Sequence, residues 1–108
     1  MPIVTAGGLH LYYQEDGVPE GPALVLLHGF SGTGDMWAAQ REAFGARYRL
    51  VIPDLRGHGR TDNPDGLAAM NHRQFSRDIT GLCQALEIEQ AIFCGLSTGA
   101  MLLLTLGL

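Results

Sequence analysis

The sequence predicts an α/β fold: an N-terminal hairpin leading into parallel strands joined by crossover helices. Three observations predict it. Short, largely apolar runs at Ala23 to Leu27, Arg49 to Ile52 and Ala91 to Cys94 are bounded by turn residues, as strands buried on both faces are. Between the last two lies a segment of helical period, Asn71 to Leu86. Strands that alternate with helices in this way require a parallel sheet, because a parallel pair needs a long crossover.

Each element has its own signal. Ile3 to Thr5 and Leu9 to Gln14 read as two short strands joined at Gly7-Gly8. Glu15 to Pro22, rich in Gly, Pro and acid, reads as a turn. Ala23 to Leu27 is the next strand and stops at His28-Gly29. The loop Phe30 to Asp35 carries Gly32 and Gly34, and a short helix is expected from about Met36 to Phe44. Arg49 to Ile52 is a strand ended by Pro53, followed by a polar, glycine-rich loop from Asp54 to Gly66. In the main helix Phe75, Ile79, Leu82, Cys83 and Leu86 share one face, and Asn71 with Gln74 forms a capping pair at its start. Ala91 to Cys94 is a further buried strand, and a helix is entered sharply at Thr98.

Composition excludes several function classes. The 108 residues suit one domain, 1–108, with 46% hydrophobic residues and a formal charge of −4. All seven bases are arginine and they are scattered, so there is no basic stripe and no nucleic-acid partner is expected. Cys83 and Cys94 lie in apolar segments and read as small buried hydrophobes in a reducing compartment, with a disulfide between them as the less favoured alternative and no metal expected. Met1 to Thr5 shows no basic region before a long apolar run, so no signal peptide is read there. The apolar run Met101 to Leu106 is far too short to span a bilayer. A soluble cytoplasmic protein with no membrane partner is expected.

The chemistry centres on Gly95-Leu96-Ser97-Thr98-Gly99. A serine hydroxyl is a weak nucleophile at neutral pH and needs a base and an exposed position. A sharp strand-to-helix turn exposes it, and side chains two positions before and after the serine would collide there. Gly95 and Gly99 meet that need. The motif follows an apolar strand and opens an apolar helix, so Ser97 is the expected nucleophile. An attacked carbonyl becomes an oxyanion, which needs backbone donors. Thr98 N–H, directly after the nucleophile, is one candidate, and Phe30 N–H, in the loop after the strand Ala23 to Leu27, is the other.

The strand before His28-Gly29-Phe30, the segment Asp54-Leu55-Arg56-Gly57-His58-Gly59-Arg60-Thr61-Asp62 and the Ser97 motif stand in the order and spacing of the α/β-hydrolase superfamily, which the whole chain resembles. The branch of haloperoxidase-like esterases, enol-lactonases and carbon–carbon bond hydrolases is the best match. The resemblance implies a partial α/β-hydrolase fold, truncated after the nucleophile-elbow helix. It implies an ester or lactone substrate and structural roles near the site for His28, Gly29, Asp54, Arg56 and His58. A metal held by His28, Asp54 and His58 has no supporting spacing, and none is expected. Epoxide hydrolases and haloalkane dehalogenases carry aspartate at the elbow tip, so Ser97 disfavours their chemistry. Gly32-Thr33-Gly34 lacks the third glycine of a dinucleotide fingerprint and no Gly-Lys pair exists, so no cofactor is expected.

The family places an acid and then a histidine well after the serine. Here His10, His28, His58 and His72 all precede Ser97, and the sequence ends eleven residues after it. The chain therefore reads as the N-terminal part of such a domain, with the acid and histidine supplied from elsewhere. His28 or His58 as base, in the same chain or a second copy, is the alternative. Self-association or pairing with a missing C-terminal half is expected, because the strand before the elbow would otherwise expose an apolar edge. A non-catalytic module is the competing reading. Two substrate cues conflict: Ile92 to Ser97 resembles the enol-lactonases, whereas His28-Gly29-Phe30 resembles the esterase and haloperoxidase-like group.

Overall fold

The computed structural model describes residues 3–6 and 8–106. Strands β1 (Ile3–Ala6) and β2 (Leu9–Gly17) form an antiparallel hairpin with Ile3 opposite Tyr12 and Ala6 opposite Leu9. Gly8 turns the chain with φ of +82°, a conformation glycine adopts freely. Gly7, the other half of the expected turn, lies outside the described residues, as do Met1 and Pro2 at the start of the stretch read for a leader.

The remaining strands are β3 (Ala23–Leu27), β4 (Arg49–Pro53) and β5 (Ala91–Gly95). The sheet order is β1-β2-β4-β3-β5. β2 runs antiparallel to β4, whereas β4, β3 and β5 are parallel to one another. The hairpin, the parallel strands and their crossover helices therefore match the expected fold class.

Two boundaries differ from expectation by more than one residue. β2 continues to Gly17, through residues whose polarity reads as a turn. Glu15 and Asp16 stay in the ladder opposite Val51 and Leu50. Their carboxylates are matched by arginines, Glu15 by Arg49 at 2.6 Å and Asp16 by Arg41 at 3.0 Å. The expected helix from Met36 is instead a 3-10 turn over Gly34–Trp37 that passes into α1 (Ala38–Phe44). Thr33 caps the tight turn, its hydroxyl accepting the Asp35 N–H at 3.2 Å. A second short 3-10 turn, Leu67–Ala69, precedes α2 (His72–Ala85).

Asn71 starts α2, its side-chain oxygen accepting the Gln74 N–H at 2.9 Å. The reciprocal half of the capping pair is absent, because the Gln74 amide donates to Asp78 instead. α2 buries Phe75, Ile79 and Leu82 against one face of the sheet, with Leu9, Leu11, Val25, Val51 and Leu102. Each such side chain is worth about 1.5–3 kcal/mol when fully buried. Alternate residues of β3 and β4 (Leu24, Leu26, Leu50 and Ile52) enclose Trp37 on the opposite face. The core strands are thus buried on both sides, as their unbroken apolar runs require.

β5 departs from that pattern. It pairs with β3 and forms the sheet's edge among the described residues. Ile92 lies beside Leu24, and Cys94 beside Leu26, yet Ile92 is 53% exposed and Cys94 is exposed too. Cys94 is therefore not the buried hydrophobe expected, and Cys83 is only half-buried. The reason is geometric: no described residue covers that face of the last strand. Beyond β5 the chain enters α3 (Thr98–Leu103). No helix among the described residues is long and apolar enough to cross a membrane.

Candidate active site

β5 delivers Ser97 to the end of the sheet. The last link is the Leu96 N–H, which donates to the Leu27 carbonyl at 3.1 Å. The chain then reverses at Ser97, with φ +54° and ψ −113°. A non-glycine residue in such a region costs about 1–3 kcal/mol and persists where its surroundings enforce it. The enforcement is close packing. A Cβ on Gly95 would stand 2.4 Å from the Gly99 carbonyl carbon. One on Gly99 would stand 2.2 Å from the Leu27 carbonyl oxygen. Both glycines are thus required by backbone contacts. Ser97 itself is exposed, its carbonyl accepts the Met101 N–H at 2.8 Å, and no described residue hydrogen-bonds its hydroxyl.

The loop after β3 touches this turn. A Cβ on Gly29 would lie 3.4 Å from Ser97 Cβ and 3.3 Å from the Leu96 carbonyl oxygen. Gly29 opens a tight turn closed by the Gly32 N–H on the Gly29 carbonyl at 3.0 Å. Ser31 adopts φ +65° within it, again strained for a residue with a Cβ. Phe30, at the tip, is 65% exposed. Neither the Phe30 N–H nor the Thr98 N–H donates to a protein acceptor among the described residues.

The polar residues around this turn hold loops. Buried His28 accepts the Leu55 N–H on Nε2 at 2.9 Å and donates from Nδ1 to the Gly29 carbonyl at 2.7 Å. Both ring nitrogens are engaged, so His28 has no free lone pair for a serine proton. Burial pushes its pKa down, partly opposed by the Gly29 hydrogen bond. Asp54 accepts the Gly34 N–H at 2.7 Å and the Arg60 N–H at 3.1 Å. His58 is buried, with Nδ1 on the Arg56 carbonyl at 2.9 Å. Its ring centroid stands 5.1 Å from that of His28 and 5.3 Å from that of Phe30. His10 lies in β2, bonded to Thr5, and His72 opens α2. Among the described residues no cluster of three metal-binding side chains exists.

Arg56 ties the loop to α2. Its guanidinium is buried and grips Asp78 through two bonds of 2.8 and 2.9 Å, with Asp65 at 2.7 Å. These partners raise its pKa further. Asp78 is the residue sequence reasoning missed. Its signal was an acid beside Ile79 on the apolar face of α2, where only a paired charge is stable. Two surface grooves, of about 1040 and 450 Å³, are lined mainly by α2 and its neighbours and include none of Phe30, Ser97 or Thr98. These residues present the serine on an open surface.

Residues 22–108 match the family model described as alpha/beta hydrolase fold. The chain belongs to the alpha/beta hydrolase family. It corresponds to an N-terminal portion of the alpha/beta hydrolase fold. It is 34% identical over 106 residues to 3-oxoadipate enol-lactonase 1 of Acinetobacter baylyi, covering 98% of this chain and 39% of that protein. It is 35% identical over 98 residues to an epoxide hydrolase of Caballeronia sordidicola, covering 90% of this chain and 29% of the other. The crystal structure of an enol-lactonase from Burkholderia xenovorans superposes with a TM-score of 0.88 at 34% identity, over 94% of this chain and 39% of that one. The chain thus spans about a third of the length of the alpha/beta hydrolases it matches.

Proposed function

We propose that this chain carries the nucleophile of a serine hydrolase acting on small carboxylic esters or lactones. The observation that carries the reading is the placement of Ser97 at a glycine-enforced, left-handed turn directly against Gly29. Ser97 Oγ attacks the substrate carbonyl carbon as its proton passes to a histidine. The carbonyl oxygen becomes an oxyanion that accepts the Phe30 and Thr98 N–H groups. Collapse expels the alcohol, protonated by the same histidine, and leaves an acyl-Ser97 ester. A water molecule then attacks that ester, releasing the acid and restoring Ser97. For a lactone the alcohol stays tethered to the acyl group. No cofactor takes part.

The histidine and the acid that orients it come from outside these 108 residues. The occupied nitrogens of His28 support that assignment. The complementing segment, equivalent to the remainder of the family's fold, docks along β5 and α3. Exposed Ile92, Leu96, Met101 and Leu104 support this, together with a groove lined by Cys83, Phe93 and Leu106. A serine at the tip favours esters over epoxides, despite the epoxide hydrolase relative. The unpaired thiols of Cys83 and Cys94 support a cytoplasmic setting.

The test is covalent labelling of the intact protein with a fluorophosphonate. Label should sit on Ser97, and Ser97→Ala should abolish both labelling and ester turnover. Esterase activity retained by the alanine variant would reject the assignment. The second reading is a non-catalytic, complementing module, favoured by the absence of any described partner on Ser97 Oγ. An intact protein that folds and takes no label at Ser97 would support it.

A further inference from the structure

Phe30 is an exposed aromatic residue, yet it has a fixed neighbour. Its ring meets that of His58 at 82°, edge to face, with centroids 5.3 Å apart. His58 is itself held from every side. Gly57 and Gly59 flank it with φ of +73° and +52°, which sets its place at the tip of a tight loop. Its N–H donates to the Leu55 carbonyl, its Nδ1 bonds the Arg56 carbonyl, and its own carbonyl accepts the Thr61 N–H. The rings of His28 and Phe75 pack against it. The turn that carries Phe30 is anchored at Gly29, by the Gly32 N–H and by His28, but is strained beyond it. It includes left-handed Ser31, a conformation that a free turn would leave.

We propose that His58 is a positioning residue: by bracing the Phe30 ring it holds the strained turn so that the Phe30 N–H faces the oxyanion formed at Ser97. This rests on the serine-hydrolase reading given above. His58 touches no reacting atom in this role. It acts through a ring contact, so its effect falls on the stabilisation of developing charge and not on ground-state binding. The brace is aromatic and not acid–base, so another aromatic side chain serves in its place.

The experiment measures kcat and KM for p-nitrophenyl butyrate on the intact protein. His58→Ala should lower kcat about tenfold with KM nearly unchanged, since small misplacements of a catalytic group cost one to two orders of magnitude. His58→Phe should restore most of that loss. Phe30→Ala, at an exposed position that folding does not depend on, should lower kcat to a similar degree, and adding His58→Ala should cost little more. Wild-type kcat in Phe30→Ala, additive losses in the double variant, or failure of His58→Phe to restore kcat would overturn the proposal. A 19F resonance from 4-fluorophenylalanine at position 30 should move on His58→Ala; an unmoved resonance also overturns it. Turnover retained by Ser97→Ala rejects the hydrolase reading instead. Loss of activity in Ser97→Ala with Phe30→Ala fully active rejects this inference alone.

Discussion

Gly99 and Leu27 approach so closely that a Cβ on Gly99 would stand 2.2 Å from the Leu27 carbonyl oxygen. That contact locks the start of α3 onto the end of β3 and fixes the turn at Ser97. Gly99→Ala should therefore destabilise the fold by about 2–3 kcal/mol, the upper range of overpacking, because backbone must move on both sides. Urea unfolding measures it. A loss below half a kilocalorie, on the order of a neutral surface change, would mean that the two segments separate freely.

Arg56 and Asp78 offer a second point of measurement. Their bidentate pair is buried and links the loop beside the elbow to α2. Asp78→Ala should cost about 3–5 kcal/mol, because it leaves a buried guanidinium with only Asp65 and Asn63 as partners. Asp65→Ala should cost about 1 kcal/mol at most, because that carboxylate is largely exposed. Equal losses in the two variants would contradict this assignment of the load.

The stability of the fold should also depend on His28. Burial lowers its pKa below the ordinary value of 6.5. Above that value neither the folded nor the unfolded chain protonates His28, and it contributes no slope. As pH falls below 6.5 the unfolded chain takes up a proton that the folded chain still refuses, so stability drops until the folded pKa is reached. Melting temperatures between pH 7 and 5 should fall more steeply for wild type than for His28→Asn. Parallel curves would exclude the effect.

The edge at β5 predicts association. The polypeptide 1–108 alone, at micromolar concentration, should sediment as a self-associated species, because a strand edge left open among the described residues and the exposed Ile92 and Leu104 favour pairing. Ile92→Glu should shift it toward monomer. A monodisperse wild-type monomer would count against an adhesive edge.

Much of this was legible in the sequence, for physical reasons that also explain the rest. β3, β4 and α2 declare themselves through apolar period, and the sharp turn at Ser97 through the two glycines that it demands. β2 ran further than expected because the charges of Glu15 and Asp16 are answered by Arg49 and Arg41, partners far away in sequence. Cys94 is exposed where the sequence predicts burial, because an apolar run states which side chains can be buried, not whether anything covers them. The contact of Phe30 with His58 joins two loops twenty-eight residues apart and has no local signature. Asp78 hid for the same reason: its partner Arg56 lies in another element.

The backbone angles of Ser97 carry a last consequence. Position 97 is where a glycine would suit the chain best, since glycine adopts φ +54° without strain. Ser97→Gly should raise stability by about 1 kcal/mol while removing the hydroxyl that the proposed serine-hydrolase reading uses to attack the carbonyl. Selection for robustness alone would erase this residue. On the proposed reading, the protein accepts a weaker fold at this position to keep a hydroxyl in place.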